Sequence, residues 1–246
     1  MNDDPRIVVH FSCGAASAVA AKLALTKYPT DRVHIVNVFI VEEHEDNRRF
    51  LTDCEPWFEK SVTVLRDEKY GASTIQVWTK KRFLSAMRAP CSRVLKRDVL
   101  HKWGNSTDVW VLGYTVEEQA RADRIEVLYP DRQFLFPLIE YNLTKSDCLA
   151  MIERAGILLP MMYRMGYDNA NCIGCPKGGA GYWNKIRRDF PERFQQIAAL
   201  QESIGRDSGM FLRDRRTNEY IQLRDLSPGR RRADLRRTKF YVFVLL

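Results

Sequence analysis

No apolar run in this chain approaches the roughly 20 residues that a membrane-spanning helix requires. The first residues, MNDDPRI, lack the positive and then apolar pattern of a secretory leader. We therefore expect a cytoplasmic protein with no membrane partner. The chain has no internal repeat, no low-complexity tract, and neither the dinucleotide-binding fingerprint nor the P-loop NTPase fingerprint. Cysteine is sparse, with six in 246 residues, and without a leader this argues against a disulfide scaffold. Reduced thiols remain, open to metal binding or catalysis.

What is present fits a folded chain of one large domain or two modest ones, with 45% hydrophobic residues. The formal charge of +8 is unevenly placed, because residues 206–239 hold eleven Lys/Arg against five Asp/Glu. A polyanion such as nucleic acid is a plausible partner for that segment.

Hydrophobic patterning predicts a strand in RIVVHF (6–11), an alanine-rich helix in SAVAAKLALTKY (17–28) capped by Ser17 or the loop before it, and a strand in RVHIVNVFI (32–40). A helix over 45–60, a strand over 61–66, a helical stretch over about 79–103 and a strand in DVWVLGYT (108–115) follow. VEEQARADRIEVLYP (116–130) reads as a helix and QFLFPLIE (133–140) as a fifth strand. LTKSDCLAMIERAGI (143–157) opens on a capping box of Thr144 and Asp147 and closes on Gly156. The alternation predicts an α/β fold: a doubly wound, mostly parallel five-stranded sheet, Rossmann-like, with a helical and irregular C-terminal extension. Residues 159–185 read as irregular, the kind of long loop that is usually functional, and a helix is expected over about 191–204.

Three groups carry candidate chemistry. SCGAAS, Ser12 to Ser17, is a small-residue loop between strand and helix, where backbone N–H groups and the positive end of a helix can hold an anion. The alternative is a tight turn packed on its own helix. CIGC, Cys172 to Cys175, can bind a metal or cluster, act as a redox dithiol, or mean nothing by itself. Cys91 in APCSRVLKRD strengthens the metal reading, its neighbouring cations being expected to lower the thiol pKa. Three cysteines suit an iron–sulfur cluster with one open iron, with zinc as the alternative. Arg93 with Lys96 and Arg97, and Arg121 with Arg124, can clamp phosphate or simply face solvent. Cys54 and Cys148 read as packing residues, and His44 as a surface histidine that can approach a nucleotide.

SCGAAS, LGYTVEEQARADR, FPLIEYNLTKSD and CIGC, in this order, resemble the phosphoadenosine phosphosulfate (PAPS) reductase family of the adenine nucleotide alpha hydrolase superfamily, the PP-loop enzymes. The resemblance spans most of residues 6–190. SCGAAS stands where that family carries Ser-Gly-Gly-x-Asp-Ser, so that Cys13 replaces a glycine and Ala16 an aspartate, and Tyr114 replaces an arginine of the Gly-x-Arg segment. The resemblance implies an adenine nucleotide, ATP or PAPS with Mg2+, on Ser12, Cys13, Gly14, Ala15, Ala16, Ser17, Gly113, Arg121 and Arg124.

It further implies ATP-dependent adenylation and sulfur transfer to a nucleic-acid base or small acceptor, with a sulfur donor, and a 4Fe–4S cluster on Cys91, Cys172 and Cys175. No cysteine follows Cys175, so the C-terminal Glu-Cys-Gly-x-His motif of the sulfonucleotide reductases is missing. PAPS reduction is therefore the runner-up, and a nucleotide-binding module without catalysis is the reading from another class. The domains expected are a nucleotide-binding unit over 1–160, a cysteine loop and helix over 161–205 and a basic tail over 206–246, with a dimer plausible.

Overall fold

The computed structural model describes residues 4–214 and 217–228. In chain order it contains β1 (Ile7–His10), α1 (Ala15–Lys27), β2 (Val33–Val38), α2 (Asp46–Phe58), β3 (Thr63–Leu65), α3 (Thr74–Lys81), α4 (Asp98–Trp103), β4 (Val109–Val111), α5 (Gln119–Leu128) and β5 (Phe134–Leu135). Then follow α6 (Pro137–Glu140), α7 (Lys145–Arg154), α8 (Met161–Arg164), α9 (Ala180–Asp189), α10 (Pro191–Ile204), α11 (Arg206–Gly209), β6 (Leu212–Arg213) and β7 (Tyr220–Ile221). No helix among the described residues is long and apolar enough to cross a membrane.

The chain forms two compact units. The first holds the described parts of Met1–Phe39, His44–Arg66 and Val99–Ala170. Its sheet has the order β3-β2-β1-β4-β5, and every pair is parallel. Strands buried on both faces need continuous apolar sequence, which β1 and β4 supply with Ile7, Val8, Val9 and Val109, Trp110, Val111. The α/β expectation with five parallel strands is therefore met.

The chain moves outward from β1 to β3 and then returns to place β4 on β1's other side, so the order reverses between β1 and β4. In open parallel sheets that reversal leaves a crevice at the carboxyl ends of the two strands. α1 lies against it, with Ala18, Ala20, Ala21 and Ala24 all buried and small enough for close approach. α7 opens on the expected capping box: Thr144 Oγ1 accepts the Asp147 amide at 3.2 Å, and Asp147 Oδ2 accepts the Thr144 amide at 2.9 Å.

Three expected elements differ. The helical stretch over 79–103 is interrupted, because Arg82 (φ +46°) ends α3 in the left-handed conformation and Ala89 is also left-handed. Pro90 follows, then a π-helical turn over Ser92–Arg97 before α4. The expected fifth strand pairs only over Phe134–Leu135, since Pro137 has no amide to donate and instead starts α6. The irregular stretch over 159–185 contains α8 and the first turn of α9.

The second unit holds the described parts of Ile40–Glu43, Asp67–Asp98 and Asn171–Leu246. Trp183 of α9 is fully buried there, its ring centroid 6.2 Å from Phe194 of α10 and 5.3 Å from Phe211. Buried Gln201 ties α10 to the end of α11 and to the segment after β7: its amide donates to the Gly209 carbonyl at 3.0 Å and its oxygen accepts the Leu223 amide at 2.8 Å. Eight of the eleven Lys/Arg of the basic tail, including Arg230 to Lys239, lie outside the described residues, and with them the expected nucleic-acid contact.

Candidate functional site

The loop that follows β1 enters the crevice between β1 and β4. Phe11 donates its amide to the Val36 carbonyl at 2.8 Å, and Asn37, a buried polar residue inside β2, donates its side-chain amide to the Phe11 carbonyl at 2.8 Å. Cys13 then takes a left-handed conformation (φ +56°), one a glycine adopts without steric cost. Its side chain turns into the core and is fully buried. Asn37 Nδ2 lies 3.4 Å and Arg48 Nη2 lies 3.5 Å from its sulfur, and Arg48 Nη1 donates to Asn37 Oδ1 at 2.9 Å. The thiol therefore fills space beneath the loop and leaves the loop's outer side clear.

On that outer side three hydroxyls meet. A Cβ placed on Gly14 would lie 3.2 Å from the Tyr163 hydroxyl, 3.7 Å from Ser12 Oγ and 4.0 Å from Ser17 Oγ. Ser17 is not the N-cap of α1. Gly14 holds that position, and Ser17 Oγ sits within the first turn, donating to the Gly14 carbonyl at 2.9 Å and accepting the Ser12 amide at 3.1 Å. Ala16 is half-buried and presents only a methyl group where the resembling family has a carboxylate. Gly113, two residues beyond β4, lies against the same turn: a Cβ there would be 2.8 Å from the Ser17 nitrogen and 3.0 Å from the Ala16 carbonyl carbon. The glycine permits β4 to approach the helix N-terminus.

Tyr114 is buried, stacked on Phe136 with centroids 5.7 Å apart, and the Arg121 guanidinium lies 4.2 Å from its ring centre. Burial raises the Tyr114 pKa against the partial opposition of Arg121. Arg121 also forms an ion pair with Glu118, so its charge is shared. Arg124 is exposed on α5. His44 accepts the Asp46 amide on Nδ1 at 3.1 Å, a capping role at the start of α2.

The three candidate cysteine ligands all belong to the second unit. The Cys172–Cys175 loop is wound around one hydroxyl: Tyr182 accepts the amides of Gly174 at 2.8 Å and Cys175 at 3.0 Å and donates to the Cys172 carbonyl at 3.1 Å. Gly174 is left-handed (φ +84°) and packed so closely that a Cβ would lie 2.3 Å from Ile197 Cδ1. Ile173 donates its amide to the Glu42 carbonyl at 2.7 Å, and Lys96 pairs with Glu43 at 3.0 Å.

The expectation that nearby cations lower the Cys91 pKa is overturned. Burial pushes it up to about 11, and Cys175 adds to the rise. The cation Cys91 feels is Lys177, whereas Arg93 is exposed and Lys96 is engaged by Glu43. Cys172 is likewise held well above the ordinary thiol range by burial, then by Glu43, Cys175 and Cys91.

The three sulfurs thus lie within electrostatic reach of one another, and as donors they suit a soft metal or an iron–sulfur cluster. Among the described residues no group of three or more His, Cys, Asp or Glu side chains stands at metal-binding spacing. Cys54 and Cys148 are fully buried packing residues, as expected.

Sequence reasoning missed Asn37, Arg48 and Tyr163. The first had a signal, a lone polar residue in an apolar strand. The other two act through contacts distant in sequence that no local pattern announces. No protein-family model matches the chain, and no curated protein matches it.

Proposed function

We propose that this protein binds an adenine nucleotide with its phosphates over Ser12 to Ser17 and activates it for group transfer, in the manner of a PP-loop enzyme of the PAPS reductase family. One observation carries the reading: at the sheet's reversal point, the N-terminus of a 13-residue helix, the Gly14 backbone and the Ser12 and Ser17 hydroxyls converge beside a strand end that only glycine allows so close. Its positive end attracts phosphate oxygen and the hydroxyls supply further donors.

In the activation step an acceptor oxygen forms a bond to the α-phosphorus of ATP as the bond to the β-phosphate oxygen breaks. Pyrophosphate leaves, and the acceptor becomes adenylated. The loop stabilises the charge that builds on the departing phosphates. Cys91, Cys172 and Cys175 would hold an iron–sulfur cluster or zinc, and a cluster supplies an open iron for sulfur chemistry when bound. A cation there would replace the thiol protons that burial retains.

Turnover assays separate the readings. Incubation with ATP, Mg2+ and an acceptor is expected to release pyrophosphate and leave the acceptor adenylated, and free AMP is expected only when a sulfur donor is added and its sulfur displaces the adenylated oxygen. Sustained thioredoxin-dependent sulfite release from PAPS would instead establish the reductase, and tight ATP binding with no product under any acceptor would establish a module without catalysis.

A further inference from the structure

The loop 158–164 is fastened to the start of α2 through one carboxylate and one guanidinium. Asp46 Oδ2 accepts the Met161 amide at 2.7 Å, and Asp46 Oδ1 is 3.7 Å from Arg164. Arg49 donates to Asp46 at 2.8 Å and to the carbonyls of Leu158 and Leu159 at 3.0 and 3.2 Å. Held from this side, the Tyr163 ring packs against the hydrophobic core that contains Ala15. From the other side, the Lys145 ammonium lies 5.7 Å from the ring centre and is itself fixed by Asn169 Oδ1 at 2.8 Å and by the Asp168 carbonyl. Between these anchors the hydroxyl lies over Gly14 at the N-terminus of α1, 3.2 Å from where a Cβ of that residue would stand.

We infer that the Tyr163 hydroxyl occupies a phosphate-oxygen position of the loop and must be displaced when a nucleotide polyphosphate enters, so that Tyr163 sets the affinity of the site. The inference rests on the phosphate reading of Ser12 to Ser17 proposed above. Two features support it. The hydroxyl is the atom nearest to a Cβ at Gly14, closer than either serine. The phenol oxygen is in hydrogen-bonding relation with the backbone of Ala15, the first residue of α1, and of Ala170, both of which favour its ionised form, although burial dominates and raises its pKa to about 12. A neutral phenol oxygen is thus seated where the helix end would prefer an anion.

The asymmetry of charge makes displacement feasible. A phosphate oxygen gains more from a helix N-terminus than a phenol does, since hydrogen bonds to charged groups are roughly twice as strong as neutral ones. The phenol therefore keeps the amides satisfied in the empty site and yields to a polyphosphate, at the cost of part of its binding energy. Because the residue acts by occupying and vacating the site, it is an affinity-setting residue and not a catalytic one.

Calorimetric titration with Mg-ATP tests this on the parent, Tyr163→Phe and Gly14→Val proteins. Phenylalanine keeps the packed ring and removes only the oxygen, so binding is expected to tighten about fivefold, the equivalent of one neutral hydrogen bond no longer displaced. Equal or weaker binding by Tyr163→Phe, with binding by the parent and its loss in Gly14→Val, overturns this inference alone and makes the phenol a donor to the ligand or a bystander. No binding by the parent, or undiminished binding by Gly14→Val, overturns the phosphate reading and this inference with it.

Discussion

Replacing Gly113 by alanine adds one methyl group at the point where β4 meets α1. The new Cβ would lie 2.8 Å from both the nitrogen and the Cα of Ser17 and 3.0 Å from the Ala16 carbonyl carbon, well inside the 3.4 Å at which ordinary contact begins. All three are backbone atoms of a helix whose buried residues include Ala15, Ala18, Val19, Ala20, Ala21 and Ala24, so no flexible side chain can swing aside. Relief requires β4 and the first turn of α1 to separate by several tenths of an ångström. Overpacking of this kind costs about 1–3 kcal/mol, and rigid backbone on the far side places the expected value in the upper half of that range.

With a urea m-value of about 2 kcal/mol/M, the unfolding midpoint of Gly113→Ala should fall by roughly 1 M. Urea titration followed by far-ultraviolet circular dichroism reads it directly. The same separation moves the Ser17 hydroxyl and the helix end, so nucleotide affinity should fall as well. A variant within about 0.5 kcal/mol of the parent, the range of neutral surface changes, would refute the claim that this glycine sets the strand-to-helix distance.

Other expectations follow from buried groups. His10 packs at a tilt against Trp110 with centroids 4.6 Å apart, both its ring nitrogens are buried without hydrogen-bond partners, and burial lowers its pKa to about 3. The unfolded chain takes up that proton first as pH falls, so stability complete above pH 6.5 is lost progressively towards about pH 3, at up to about 1.4 kcal/mol per pH unit. His10→Phe should flatten the change in urea midpoint between pH 7 and pH 5 by the equivalent of about 2 kcal/mol, and identical slopes would count against a buried neutral histidine. Serine at Cys91, Cys172 or Cys175 should remove bound iron or zinc from anaerobically prepared protein, by elemental analysis and visible spectrum, while ATP binding persists. Serine at Cys54 or Cys148 should retain the metal and lose about 1–3 kcal/mol of stability through a buried hydroxyl, and full metal content in Cys91→Ser would dissolve the three-cysteine grouping.

The fold was legible where local pattern and tertiary environment agree. RIVVHF and DVWVLGYT are continuous apolar runs because they become central parallel strands, and the alanines of α1 register a helix that must lie close to the sheet. Legibility failed where a single residue overrides the pattern around it. QFLFPLIE reads as one strand until Pro137 starts a helix, and the apolar spacing over 79–103 conceals the left-handed Arg82 and Ala89.

The candidate site divides in the same way. Ser12 to Ser17 could be singled out as a small-residue loop between a strand and a helix, whereas Gly113 was named only through the family resemblance. The Cys91 pKa was misjudged because neighbours in sequence, Arg93 and Lys96, point elsewhere, and burial decides the outcome. Tyr163, about 150 positions from Gly14, has no local signal, since its place comes from Asp46, Arg49 and Lys145. Cys13, which stands where the resembling family carries a glycine, is accommodated by turning inward, a solution visible only once Asn37 and Arg48 are seen beneath it.

The account stands most directly on where the nucleotide phosphates bind. Gly14 has an ordinary extended backbone (φ −107°, ψ 155°), so valine there introduces no backbone strain and acts only by filling the space among the Ser12, Ser17 and Tyr163 hydroxyls. Calorimetric titration of the folded Gly14→Val protein with Mg-ATP should show binding reduced by at least a hundredfold against a parent that binds. Affinity equal to the parent's would place the nucleotide elsewhere and contradict the account.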